Sequence, residues 1–268
     1  MKKVLVVGIG PGEYEQMTIR AASALREAQV IVGYTVYVDL VREHFPGKRF
    51  LTTPMTQEAE RCQLAFQEAM EDQTVAMICS GDGGVYGMSG LIYEVGQGYP
   101  QVEIEVIPGV TAALSGGAVL GAPLIHDFAV ISLSDLLTPW EKIEKRLLAA
   151  AEADFAICLY NPSSRKRKDY LRRACDLLLR FRSPETVCGT VRNIGRPGES
   201  AQVCTLAQLR ELETDMFTTV FVGNSQTREL GGHMVTPRGY RLLERLCFFP
   251  APATAAAWPC ASRAGAGW

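Results

Sequence analysis

The sequence predicts an α/β protein in two parts, a mostly parallel sheet followed by a mixed one, and three observations carry that expectation. Apolar, β-branched runs alternate with helical patterns through the first half. Three of the runs end in glycine-rich turns, at 8–12, 81–84 and 109–111. The second half breaks the rhythm with Gly195-Arg196-Pro197-Gly198 between two strand-like runs, a hairpin signal that a purely parallel sheet has no place for.

Taken in order, a strand over 4–10 leads to a helix over 17–28 and a second strand over 30–33. A helix over 56–71 sets Ala59, Cys62, Phe66 and Ala69 at helical spacing and delivers the chain to a strand over 74–79. Val102, Ile104 and Val106 alternate with Glu103 and Glu105, as a strand with one wet face requires. Pro108-Gly109-Val110-Thr111 then opens a helix rich in small residues, which another backbone or a ligand can approach closely. Residues 120–124 read as a linker, so one α/β domain spans 1–121 and a second 122–242. The second domain has a strand over 128–133, then a helix over 139–151 with Pro139 at its first position. A strand over 155–160 and a helix over 168–182 follow, then strands over 186–192 and 201–205 around the hairpin signal. A last strand over 218–222 ends in Gly223-Asn224. Residues 243–268 show no periodicity and read as an irregular tail without a function.

Composition removes several classes of function. With Lys+Arg 27 against Asp+Glu 29 and a formal net charge of -2, no basic face for nucleic acid is expected. The apolar start is broken at once by glycines, Pro11, Glu13 and Glu15, so it is a first strand and not a secretory signal. No window reaches the roughly 18 consecutive apolar residues of a membrane span. The 8 cysteines form no Cys-x-x-Cys pair and the 3 histidines are scattered, so neither a metal cluster nor a disulfide framework is expected. Thiols in stretches such as Ile157-Cys158-Leu159 read as reduced core cysteines of a cytoplasmic protein.

The chemistry is concentrated in Gly8-Ile9-Gly10-Pro11-Gly12. A dinucleotide fingerprint needs glycine where the chain has Glu13, and Pro11 has no N–H to offer a pyrophosphate. An acid beside the turn and a proline inside it suit a ligand that is positive or neutral there, and S-adenosylmethionine, with its sulfonium, is the candidate. Ligands of open α/β sheets bind beyond the carboxyl ends of strands, so the three glycine turns would line one crevice if their strands run parallel.

Together with Ser80-Gly81-Asp82, Pro108-Gly109-Val110-Thr111-Ala112 and Val222-Gly223-Asn224, that first turn resembles the marks of the tetrapyrrole (class III) methyltransferases of cobalamin biosynthesis. The resemblance runs from about Lys3 to Tyr240. Three further segments resemble the branch that methylates C17 and contracts the ring of precorrin-3B or cobalt-factor III. They are Ile131 through Trp140, Leu159-Tyr160-Asn161-Pro162-Ser163-Ser164-Arg165, and Thr236-Pro237-Arg238-Gly239-Tyr240. The resemblance implies a homodimer of two-domain subunits, with S-adenosylmethionine in the trough between the domains and the macrocycle above it. It places Pro11, Gly81, Asp82, Thr111, Ala112, Tyr160, Asn161 and Gly223 against the cofactor.

Methyl transfer asks mainly for orientation, whereas expelling a ring carbon needs proton transfers. The ionisable candidates for the latter are His126, Asp127 and Asp135, with Tyr160 as a fourth. His126-Asp127 reads equally as a capped turn, and Asp82 as a helix N-cap. Arg165, Lys166, Arg167, Lys168, Arg172 and Arg173 form a dense basic cluster. It is either a clamp for the macrocycle's carboxylates, led by Arg165 and Arg167, or a solvated helix start. Alternatives of the same fold act on another corrin carbon, a translation factor or ribosomal RNA; an alternative of another class is a non-catalytic corrinoid carrier. Precorrin-3B and cobalt-factor III both stay open as substrates.

Overall fold

The computed structural model describes residues 2–164 and 167–240. Its first layer is built from β1 (Lys3–Gly8), β2 (Val30–Tyr34), β3 (Arg49–Thr53), β4 (Thr74–Cys79) and β5 (Glu103–Ile107), all parallel, in the order β3-β2-β4-β1-β5. Helices α1 (Ile19–Glu27) and α2 (Thr35–Val41) cover one face; α3 (Glu58–Met70) and α4 (Ser89–Gly96) cover the other. The unbroken apolar run of β1 follows from this: Leu5 and Val7 pack toward α1 and α2, while Val4 and Val6 pack toward α3. Each such burial contributes about 1.5–3 kcal/mol. Thr18 starts α1, its hydroxyl accepting from Ala21 N–H (3.1 Å) and donating to the Pro108 carbonyl (3.2 Å) beyond β5.

The second layer is a mixed sheet. Its helices are α5 (Ala112–Leu120), α6 (Trp140–Glu152), α7 (Tyr170–Leu178) and the short α8 (Leu206–Leu209). The strands, after a two-residue β6 (Gly121–Ala122), are β7 (Phe128–Ser132), β8 (Ala156–Tyr160), β9 (Val187–Arg192), β10 (Ser200–Thr205) and β11 (Thr218–Val222). They run in the order β10-β9-β11-β8-β7, with only the β7–β8 pair parallel. The hairpin signal at 195–198 does join antiparallel β9 and β10. Strands β12 (Arg228–Leu230) and β13 (His233–Val235) form a small third sheet with β6.

Two expectations are corrected here. Within the expected linker at 120–124, Leu120 ends α5 and Gly121 and Ala122 form β6, pairing with Met234 and Val235 of β13. The correct pattern was hidden because the partner strand is more than a hundred residues away. Helix α5, placed by the sequence with the first domain, packs instead on the second sheet, Ala113 and Leu120 meeting Cys158, Val191 and Phe221. Its small residues serve that approach: a Cβ on Gly116 would stand 3.1 Å from the Phe221 ring. The tail at 243–268 lies outside the described residues.

The three glycine turns follow β1, β4 and β5, which are adjacent and parallel, so they meet at one sheet edge. They meet without side chains between them. A Cβ on Gly109 would stand 2.1 Å from the Gly81 carbonyl oxygen, and one on Gly8 would stand 2.6 Å from the Gly109 nitrogen. Gly10 and Gly81 exchange N–H···O bonds of 3.1 and 2.8 Å. Gly109→Ala is therefore expected to lower stability by about 1–3 kcal/mol as an overpacked site. Gly90→Ala, in α4 with open space around it, should raise it by up to about 1 kcal/mol. Urea midpoints at unchanged slope check both.

Candidate functional site

A cavity of about 210 Å³ lies between that edge and the second sheet. Pro11, Gly81, Thr111, Ala112, Tyr160 and Asn161, six of the eight residues the sequence assigned to a cofactor, line it. Tyr37, Tyr86, Asn193, Arg196, Thr218 and Thr219 line it too and were not anticipated. The two threonines begin β11, and a strand running antiparallel brings its start, not its end, to this edge.

Tyr160 ends β8 and joins the two layers. Its hydroxyl accepts from Ala113 N–H (2.7 Å) and shares a 2.6 Å hydrogen bond with the Thr111 hydroxyl. Burial pushes its pKa up to about 12, so the phenol stays neutral across the physiological range. Tyr86, with its ring centroid 5.6 Å from that of Tyr160, reaches from the β4 loop to the edge strand β7. There its hydroxyl donates to the Val130 carbonyl (3.0 Å) and accepts from Ser132 N–H (3.1 Å), closing part of an edge that would otherwise be open. Asn161 takes a left-handed φ of 53° and donates to the Ser132 hydroxyl (3.0 Å).

Arg196 crosses in the opposite direction. Its Nε donates to the Pro11 carbonyl (3.1 Å) and its Nη2 to the Ser80 hydroxyl (3.0 Å). The backbones touch beside it, a Cβ on Gly12 standing 2.2 Å from the Gly195 carbonyl oxygen. Burial lowers the pKa of Arg196. Among the described lining residues the ionisable groups are this arginine and three tyrosines; no carboxylate, histidine or cysteine is present. Glu13, expected to favour a cationic ligand, is exposed and does not line the cavity.

Other sequence candidates lie elsewhere. Asp82 is not a helix N-cap, since α4 begins at Ser89. Its carboxylate accepts from Gly84 N–H (2.7 Å) and Gly109 N–H (2.9 Å), bracing one glycine turn against another. Gly223 follows the far end of β11, because β11 runs opposite to β8, and its N–H donates to the Val187 carbonyl (2.9 Å). His126 and Asp127 precede β7, about 17 Å of strand from the end that pairs with Tyr160. His126 Nε2 is 2.9 Å from the Pro237 carbonyl oxygen. Asp135 accepts from the Tyr170 hydroxyl (2.6 Å) and Arg167 (2.9 Å), which together hold its carboxyl below the usual range.

The basic cluster is divided among several partners. Arg165 and Lys166 lie outside the described residues. Arg167 holds Asp135 together with the Ser134 hydroxyl, Arg172 pairs with Glu211, and Arg173 stacks 4.0 Å from the Trp140 ring centroid. A second cleft of about 670 Å³ adjoins the cavity through Met216 and Phe217. Lys168, Arg172, Arg192 and Arg210 face Asp169, Glu211, Glu213 and Asp215 in it, so the charges of its described lining residues balance.

The sequence profile of the family described as Tetrapyrrole (Corrin/Porphyrin) Methylases matches residues 3–210, and the chain belongs to that family. It is 48% identical over 238 residues to a probable cobalt-factor III C(17)-methyltransferase of Salmonella typhimurium, covering 88% of this chain and 99% of that protein. It is 46% identical over 244 residues to the cobalt-factor III methyltransferase of Priestia megaterium, covering 89% of this chain but 45% of that longer protein. Among solved structures it resembles the methyltransferase CobJ, with a TM-score of 0.81 at 37% identity over 87% of this chain and 99% of that one.

Tyr160→Phe leaves the Ala113 N–H, on a residue 1% exposed, without its acceptor. A stability loss of about 1–3 kcal/mol is expected in urea unfolding. The pH dependence has a definite sign. The folded state holds the Tyr160 proton to about pH 12, the unfolded chain only to about 10. This contribution is complete below pH 10 and is lost as pH rises towards 12. The variant should lack that part of the alkaline decline.

Proposed function

We propose that this protein transfers the methyl group of S-adenosylmethionine to C17 of a tetrapyrrole at the cobalt-factor III level, with contraction of the ring, in cobalamin biosynthesis. The observation that carries the proposal is the cavity itself. It lies beyond the carboxyl ends of β4, β1 and β5, is floored by backbone, and holds no carboxylate, histidine or cysteine among its described lining residues. Such a site suits a reaction in which one bound molecule attacks another and the protein contributes orientation and exclusion of water. Cobalt-factor III is preferred to precorrin-3B because relatives at 48% and 46% identity bear that substrate in their names.

The residues fit the cofactor. Pro11 removes a phosphate donor from the first turn, and Ala112, the first residue of α5, lines the cavity, where the amide of a helix's first residue can serve an uncharged acceptor such as adenine. When bound, S-adenosylmethionine supplies an electrophilic methyl group, so no side chain has to act as a nucleophile. Tyr160 remains protonated and Asp135 remains ionised and paired at neutral pH. Neither is poised to exchange a proton. The working form in this proposal is a homodimer in the cytoplasm. A reducing compartment agrees with the six described cysteines, all buried and unpaired. No helix among the described residues is long and apolar enough to cross a membrane.

The test is anaerobic incubation with methyl-labelled S-adenosylmethionine and, separately, cobalt-factor III and precorrin-3B, followed by mass and absorbance spectra. Label in the cobalt-factor III product together with the spectral change of a contracted ring is expected. Label without contraction overturns the coupling of the two steps; label from precorrin-3B alone overturns the substrate.

A further inference from the structure

Arg196 is a half-buried cation facing a cavity that contains no anion. Two of its nitrogens are spent on neutral acceptors, the Pro11 carbonyl and the Ser80 hydroxyl, and Nη1 has no protein partner among the described residues. No carboxylate lies within ion-pair distance of it there. The acid nearest in sequence, Glu199, accepts from Gly195 N–H (2.7 Å) instead. The Tyr37 ring, its centroid 5.7 Å from the guanidinium carbon, flanks the group without neutralising it. A desolvated guanidinium with an open N–H and no counter-charge is the arrangement that a planar carboxylate completes. The basic residues that the sequence favoured for that task are otherwise engaged where they are described: Arg167 on Asp135, Arg172 on Glu211, Arg173 on Trp140.

We propose that Arg196 binds the carboxylate of a ligand held in this cavity and, because it also ties the glycine turns to the second layer, sets that ligand's position relative to both sheets. The inference rests on the cavity being the site of methyl transfer. The carboxylate then has two sources, the amino-acid end of S-adenosylmethionine and an acetate or propionate arm of the macrocycle. A guanidinium that served only as a tie between the layers would not distinguish ligands with and without that group.

The experiment compares full-length wild type with Arg196→Met and Arg196→Lys. Calorimetry gives Kd for S-adenosylhomocysteine and for its decarboxylated counterpart, which keeps the amine, and steady-state kinetics give KM and kcat with cobalt-factor III. If the cofactor supplies the carboxylate, Arg196→Met weakens S-adenosylhomocysteine by about tenfold or more. The decarboxylated ligand then binds both proteins alike, and Arg196→Lys recovers part of the loss. If the macrocycle supplies it, both nucleosides bind the variant as they bind wild type, and KM for cobalt-factor III rises about tenfold with a smaller change in kcat. Equal weakening of both nucleosides with a lowered thermal midpoint overturns the proposal in favour of a purely structural tie. No change in any constant also overturns it. Wild type that binds neither nucleoside overturns the assignment of the cavity, and this proposal falls with it.

Discussion

The structure depends on the contact of three chain turns with no side chain between them. Gly8, Gly81 and Gly109 bring the carboxyl ends of β1, β4 and β5 so close that a methyl group on Gly109 would stand 2.1 Å from the Gly81 carbonyl oxygen. That approach shapes the floor of the cavity, lets Gly10 and Gly81 pair as a short bridge, and places Gly109 N–H within reach of Asp82. A site built from backbone in this way has fixed donors and acceptors and few rotamers to order when a ligand enters. It also explains why Asp82 stands beside the site without lining the cavity: the aspartate stabilises the arrangement of the turns.

The other wall comes from a separate sheet, and a small number of polar groups decide how the two meet. Tyr160 reaches from β8 to Thr111 of the third glycine turn, Tyr86 from the β4 loop to the edge of β7, and Arg196 from the β9–β10 hairpin to the first glycine turn. Contacts run in both directions, so the cavity is a property of the pair of layers and neither sheet forms it alone. Its electrostatic character follows from the same contacts. They bring in phenols and one guanidinium but, among the described lining residues, no acid; Glu13, beside the turn, does not line the cavity.

Much of the architecture was legible because the local signals and the global fold agree. The runs at 4–10, 74–79 and 218–222, the helices at 17–28 and 139–151, and the hairpin at 195–198 were all visible from periodicity and turn chemistry. Failures occurred where identity depends on a distant partner. Two residues, Gly121 and Ala122, carry no strand signal of their own, and α5 carries no mark of which sheet it covers. The site divided in the same way. Turns on parallel strands gather Pro11, Gly81, Thr111 and Ala112 at one edge, whereas Gly223, which the family resemblance placed against the cofactor, follows the far end of antiparallel β11.

By itself, then, the sequence determined the α/β layering, the glycine turns that meet at one edge, the unsuitability of Pro11 for a phosphate, and the family. The first three are written in local spacing or in the absence of a single N–H; the family follows from the resemblance of whole motifs. Only the tertiary structure decided that Thr218, Thr219 and Arg196 face the cavity. It alone showed that Asp135 and Arg167 satisfy each other, and that His126 and Asp127 stand a strand's length from Tyr160. Those outcomes turn on strand direction and on which charge finds which partner, and both are set by packing between residues far apart in the chain.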